Sequence, residues 1–253
     1  MIERYQVILA YDGTGFKGFQ KQARARTVQA VVEEALHELG WQGKSILGAG
    51  RTDTGVHAVG QVIAFDLDWV HGTQDLLNAL NANLPPDVAA RNVFLAAPNF
   101  HPRFDAYSRS YRYSLFCDPV PNPIQERYAW RVWPAVDFER LNQCAERLKG
   151  RHIFGAFGSP PHSRGTTIRI VYHSVWVQEG PMLVFEITAN AFLYHMVRRL
   201  VAVQVEIVQR NWDSDDMRMY MESDTKPPQG LAPANGLVLA EVSYPSYLVR
   251  KSE

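Results

Sequence analysis

Four stretches of the chain carry apolar residues at helical spacing. Thr27 stands at the N-cap of the first, whose stripe is Val28, Val31, Val32, Ala35, Leu36 and Leu39, and Gly40 is placed to end it. A second begins at Thr73, uses Leu76, Leu77 and Leu80, and must stop before Pro85-Pro86. Asp137 caps a third that uses Phe138, Leu141, Cys144, Ala145 and Leu148 and is ended by Gly150. The fourth and longest is expected from near Phe192, through Leu193, Met196, Val197, Leu200, Val201 or Val203, and Ile207.

Strand-like runs fall between them, at about 5–10, 45–49, 61–67, 90–97, 106–116, 168–177, 182–188 and 237–243. The runs on either side of Gln178-Glu179-Gly180-Pro181 read as a hairpin. In order, each half is strand, helix, strand, strand, helix, strand, which is the split βαβ pattern twice. Periodicity thus supports an α+β chain, with duplication as an option. Two such halves joining their sheets edge to edge hide strand edges and leave a cleft between them. A boundary is expected near residues 98–106, giving halves 1–103 and 104–253, with no low-complexity linker between them.

At 253 residues and 46% hydrophobic the chain is long enough to bury a sizeable core. Cys117 and Cys144 fall in no metal-ligand spacing. The start Met1-Ile2-Glu3-Arg4-Tyr5 lacks a signal-peptide pattern, and no apolar run reaches the ~18 residues of a membrane span. A reducing cytoplasm is the expected location, with no membrane partner. Net charge is zero, but its distribution is uneven. Lys17, Lys21, Arg24 and Arg26 lie together without an acid, as do Lys149, Arg151, Arg164 and Arg169 with His152, His162 and His173. Acids gather instead at Glu206, Asp213, Asp215, Asp216, Glu222 and Asp224. A basic face backed by an acidic one fits binding to backbone phosphates.

The densest chemistry lies in Gly48-Ala49-Gly50-Arg51-Thr52-Asp53-Thr54-Gly55-Val56-His57-Ala58. One carboxylate is crowded there by a cation, hydroxyls, glycines and a histidine. Thr52 and Thr54 can orient the Asp53 oxygens, and Arg51 can keep the carboxylate ionised. The plain alternative is an Asx-turn leaving a strand, with Arg51 and Asp53 a solvated ion pair. Asp53-Thr54-Gly55 also spells the aspartic-protease triplet. That chemistry needs two carboxylates sharing a proton, and the chain has no second triplet.

The segment 51–58 resembles the signature of the TruA family of tRNA pseudouridine synthases. Matching segments are Tyr11-Asp12-Gly13-Thr14 through Gly18-Phe19-Gln20, Asn81-Ala82-Asn83-Leu84-Pro85, Phe100-His101-Pro102-Arg103-Phe104, Arg109-Ser110-Tyr111-Arg112-Tyr113, Asn190-Ala191-Phe192-Leu193-Tyr194-His195-Met196-Val197-Arg198 and Gly236-Leu237. Phe19, Arg199 and Ala202 depart from the residues family members often carry, Trp, Asn and Gly.

The resemblance implies an α+β fold of duplicated ferredoxin-like halves sharing a mostly antiparallel sheet with a central cleft. It implies isomerisation of uridine to pseudouridine in the tRNA anticodon stem-loop, at positions 38, 39 and 40, by a homodimer. That reaction breaks N1–C1′, turns the uracil and rejoins it through C5, so it calls for no nicotinamide, metal or nucleotide cofactor. Asp53 is the implied catalytic carboxylate, attacking C1′ or C6 or taking the C2′ proton. Arg198 is the implied cation beside it, Tyr111 the ring that stacks on the target uracil, Leu237 the far wall of the pocket, and Arg51 the group that enters the RNA stem. His57, His101 and His195 keep open roles. A non-catalytic RNA-binding module on the same fold is the alternative, which needs no Asp53 carboxylate.

Overall fold

The computed structural model describes residues 1–160, 165–222 and 225–245. Arg164, His162 and Asp224, expected in the charged clusters, lie outside them. The fold is α+β with mostly antiparallel strand pairing, and contacts divide it into two units, Met1–Tyr107 with Leu239–Glu253, and Ser108–Val238.

In the first unit, β1 (Ile2–Tyr11) lies between β3 (His57–Asp68) and β4 (Val88–Leu95), antiparallel to both, with Val7 opposite Ile63 and Val93. The short β2 (Leu47–Gly48) pairs the other edge of β3. The order β4-β1-β3-β2 is that of a split βαβ unit. Helix α1 (Val28–Glu38) starts where Thr27 Oγ1 accepts from Ala30 N, and Gly40 beyond it takes φ +86. Its buried face holds the expected Val28, Val32, Ala35 and Leu36, but also Gln29 and Glu33. Helix α2 (Thr73–Asn83) buries Leu76 and Leu80 and ends before Pro85. Its Asn81 side chain both donates to Ala90 O and accepts from Ala90 N, fastening the helix to β4.

In the second unit, β5 (Ser108–Cys117) pairs antiparallel with β9 (Met182–Ala189), which forms a hairpin with β8 (Ile168–Glu179). Glu179 faces Met182 across Gly180-Pro181, and Gly180 has φ +59, as the hairpin reading expects. Two strands escape the sequence patterns: β6 (Trp130–Val132), parallel to β5, and β7 (Gly150–Ile153), antiparallel to β8. Each is too short to show a period. Asp137 caps α3 (Phe138–Glu146) by accepting from Arg140 N. Trp176 is buried, with Nε1 donating to Gln204 Oε1 of α4 at 2.9 Å and its backbone bracketed by Asn142 of α3. Burying a side chain of that size contributes roughly 1.5–3 kcal/mol.

Helix α4 spans Met196–Gln209, so it begins four residues later than the apolar spacing predicts. His195 sits at φ 63, ψ 3, a left-handed residue that stops the helix from extending back to Phe192. Tyr194 therefore does not share a helical face with Arg198. A short α5 (Asp216–Glu222) follows, and β10 (Leu237–Ser243) closes the described chain. No described helix is long and apolar enough to cross a membrane.

Candidate active site

Asp53 lies half-buried in the loop between β2 and β3. Segment 12–19 packs directly beneath that loop. Phe19 N donates to Thr52 O at 3.1 Å, and Gly55 N to Phe16 O at 3.4 Å. A Cβ on Gly13 would fall 2.1 Å from Val56 O, and one on Gly18 2.8 Å from Thr52 O. Gly18 also holds φ +89, so this approach of backbone to backbone requires glycine on both counts. Val56 N donates to Asp53 O at 3.1 Å and Gly55 takes φ +79, which closes the turn around Asp53.

Buried polar groups fix the same loop from within. The Tyr11 hydroxyl and Thr52 Oγ1 are 2.8 Å apart, and Gln61 Nε2 donates to Gly50 O at 3.0 Å. His57 Nδ1 accepts from Gly13 N at 3.0 Å and lies 3.1 Å from Asp12 Oδ1. These two contacts at Nδ1 tie segment 12–14 to the start of β3. The Thr52 hydroxyl turns to Tyr11, and Thr54 is exposed. Arg51 is exposed and, among the described residues, makes no ion pair with Asp53.

The cations of segment 17–26 divide into two kinds. Lys21 Nζ is bound to Glu33 Oε2 at 2.8 Å, and Arg26 grips Asp87 with two bonds of 2.6 and 2.8 Å while lying 4.1 Å over the Phe16 ring. Both are structural. Lys17 and Arg24 are exposed and have no ion pair among the described residues. In the second unit, Arg169 of the basic run is buried, its Nη1 donating to the carbonyls of Thr166 and Ile168 at 2.8 and 2.6 Å, and burial pulls its pKa down. Lys149 pairs with Glu146, whereas Arg151 is exposed.

The second unit places Tyr111, Arg198 and Leu237. Tyr111 is half-buried on β5, opposite Ile187 of β9, with the Phe192 ring T-shaped against it at 5.0 Å. Tyr113, two positions along on the same face, is fully buried and donates to Pro233 O at 2.9 Å. Arg198 is not a solvated helix arginine: it is half-buried, its Nε donates to Ala232 O at 2.7 Å, and its own carbonyl accepts from Ala232 N at 3.2 Å. Leu237 is buried at the start of β10. Phe192 and Tyr113 are contributors that residue type alone does not single out. Their partners lie 81 and 120 positions away in the chain. His101 Nδ1 accepts from Arg103 N at 3.2 Å, and His195 stacks on exposed Tyr194 at 3.7 Å.

A family model described as tRNA pseudouridine synthase matches residues 7–105 and 144–245. The tRNA pseudouridine synthase A of Limosilactobacillus fermentum is 37% identical over 251 residues, 97% of both chains. Those of Pseudothermotoga lettingae and Thermotoga neapolitana are 36% and 37% identical, over 96% of this chain and 100% of theirs. Among solved structures, a crystal structure of a Cbf5-Nop10-Gar1 complex matches at 15% identity and a TM-score of 0.38, over 81% of this chain and 44% of that one.

Proposed function

The chain belongs to the tRNA pseudouridine synthase family, an isomerase family, and on that premise we propose that it converts uridines 38, 39 and 40 of the tRNA anticodon stem-loop to pseudouridine. The observation that carries the reading is the Asp53 loop: a half-buried carboxylate on a turn immobilised by Gly13, Gly18, Tyr11 and Gln61. A carboxylate that must meet a flipped nucleotide at one atom gains from a backbone that does not move, because misplacement is costly in rate.

In this reading the N1–C1′ bond breaks, the uracil turns, and a C5–C1′ bond forms while C5 loses a proton and N1 gains one. Atoms and electrons balance without a co-reactant. Asp53 meets the sugar or the base as nucleophile or base. Tyr111 stacks on the uracil, which suits a ring held from its side by Phe192 in T-shaped contact. Arg198 supplies the cation, and its bond to Ala232 O fixes the guanidinium plane. Leu237 covers the base and keeps water from the detached sugar. Arg51 enters the stem, supported by its exposure and its lack of an ion pair among the described residues. The enzyme works as a cytoplasmic homodimer, with Lys17 and Arg24 on backbone phosphates.

Incubation with an unmodified tRNA transcript, followed by nucleotide-resolution mapping of pseudouridine, tests this. Product at 38, 39 or 40 is expected. Product elsewhere overturns the assigned positions, and tRNA binding with no product overturns the enzyme in favour of a binding module.

A further inference from the structure

The chain between Ala232 and Leu237 is held at Ala232, Pro233, Asn235 and Gly236. Ala232 is fastened to Arg198 through both its N–H and its carbonyl. Pro233 O accepts from Tyr113 at 2.9 Å. Asn235 Nδ2 donates to Glu126 O and, at 3.2 Å, to Ala129 O. At Gly236 a Cβ would fall 2.7 Å from Tyr113 Cζ and 2.8 Å from Ser114 O, so the backbone lies on the phenol ring itself. Tyr113 is 0% exposed and packs T-shaped against Trp130 at 6.4 Å. One side chain therefore supports this segment twice, by a hydrogen bond near one end and by ring contact near the other.

We propose that Tyr113 is a positioning residue for the isomerisation: its hydroxyl, through the carbonyl of Pro233, sets the segment 232–237 and so aligns Arg198 and Leu237 together. The inference rests on the function proposed above, which gives those two residues their work. A segment of six residues, bonded to Arg198 at its start and delivering Leu237 at its end, transmits a shift at Pro233 to both. Burial drives the Tyr113 pKa strongly upward, and the nearby Arg198 charge only partly offsets this, so the hydroxyl keeps its proton and remains a donor. Tyr113 is in this respect unlike a proton shuttle. Its role is geometric.

The test uses the full-length protein, an unmodified tRNA transcript, and separate determination of kcat, KM and the thermal midpoint. Tyr113→Phe keeps the ring and deletes the bond to Pro233. Its kcat should fall roughly tenfold with KM within about twofold of wild type, the signature of misaligned groups rather than lost RNA binding. Asn235→Ala, which frees the same segment from another of its anchors, should show the same split and serves as the second arm if Tyr113→Phe does not fold. Gln204→Met removes a buried hydrogen bond of the same unit, to Trp176, without touching the segment. It should lower the thermal midpoint and leave kcat alone. A wild-type kcat in folded Tyr113→Phe and Asn235→Ala overturns the proposal, as does an equal kcat loss in Gln204→Met, or a Tyr113→Phe pH profile that loses one limb. Absence of pseudouridine with the wild-type protein would instead count against the proposed function.

Discussion

Lys21 Nζ lies 2.8 Å from Glu33 Oε2, and the Glu33 side chain is only 1% exposed. A lysine that from sequence belongs to a basic RNA-facing run is thus the counter-ion of a buried helix carboxylate. Phosphate contacts release counter-ions with a slope of about −0.7 to −0.9 per neutralised phosphate. Replacing Lys17 and Arg24 by alanine should therefore flatten the dependence of log affinity on log salt by about 1.4–1.8. Lys21→Ala should leave the slope unchanged and lower the melting temperature instead. Filter binding over a salt series separates the two outcomes, and a flattened slope for Lys21→Ala would contradict the assignment.

Glu33 makes stability depend on pH. Burial pushes its pKa up, but bonds from Lys21, Gln29 and Ile46 N outweigh that and hold it below the ordinary carboxylate value. A depressed folded-state pKa contributes stability above the unfolded value and loses it as pH falls through the folded one. Glu33→Gln should cost about 1–3 kcal/mol near neutrality, with the difference from wild type shrinking below about pH 4. Melting curves across that range check it. A constant difference down to acid would remove Glu33 as the source.

Gly18→Ala meets two obstacles at once, φ +89 and a Cβ 2.8 Å from Thr52 O. The left-handed conformation alone costs about 1–2 kcal/mol. Because the clash is with the residue before Asp53, turnover should suffer more than melting temperature. Gly40→Ala is the control, since φ is +86 there but no atom lies within 4 Å of the added carbon. It should destabilise without changing turnover in the folded fraction. Equal kinetic effects at the two sites would argue against a loop held for catalysis.

Tyr111 carries two jobs that two substitutions part. Tyr111→Phe should keep tRNA affinity and lose turnover, whereas Tyr111→Ala should also lose the roughly 1–3 kcal/mol of a base stack. Wild-type turnover by the Phe variant would leave stacking standing and end any part for the hydroxyl in proton transfer.

Asn has nearly the size of Asp, so Asp53→Asn should fold and bind tRNA normally. Its neutral amide neither attacks carbon nor takes a proton, and pseudouridine formation should drop by roughly 10²–10⁴-fold or more. Mass spectrometry of the variant guards against hydrolysis back to Asp. Normal yield from an intact Asn variant would remove Asp53 from the reaction.

The sequence alone determined what is encoded within a few neighbouring residues. Thr27 and Asp137 cap helices, Gly40 takes the left-handed conformation after α1, and Gly180-Pro181 turns the β8–β9 hairpin, because capping and turn preferences act over three or four positions. The tRNA pseudouridine synthase family was legible in the same way, in contiguous motifs around Asp53. Tertiary structure decided which distant groups meet. The apolar spacing that runs on through Phe192 gave no sign that His195 would turn left-handed and start α4 at Met196. Strands β6 and β7 exist through their partners rather than their composition. Lys21 and Arg169 read as parts of a phosphate-binding face until Glu33 and the carbonyls of Thr166 and Ile168 come to them, and Tyr113 is one residue of a matched motif until Pro233 arrives at its hydroxyl. A side chain's charge and shape are fixed by its own codon, but its partner is fixed by packing of the whole unit, and local periodicity carries no information about that.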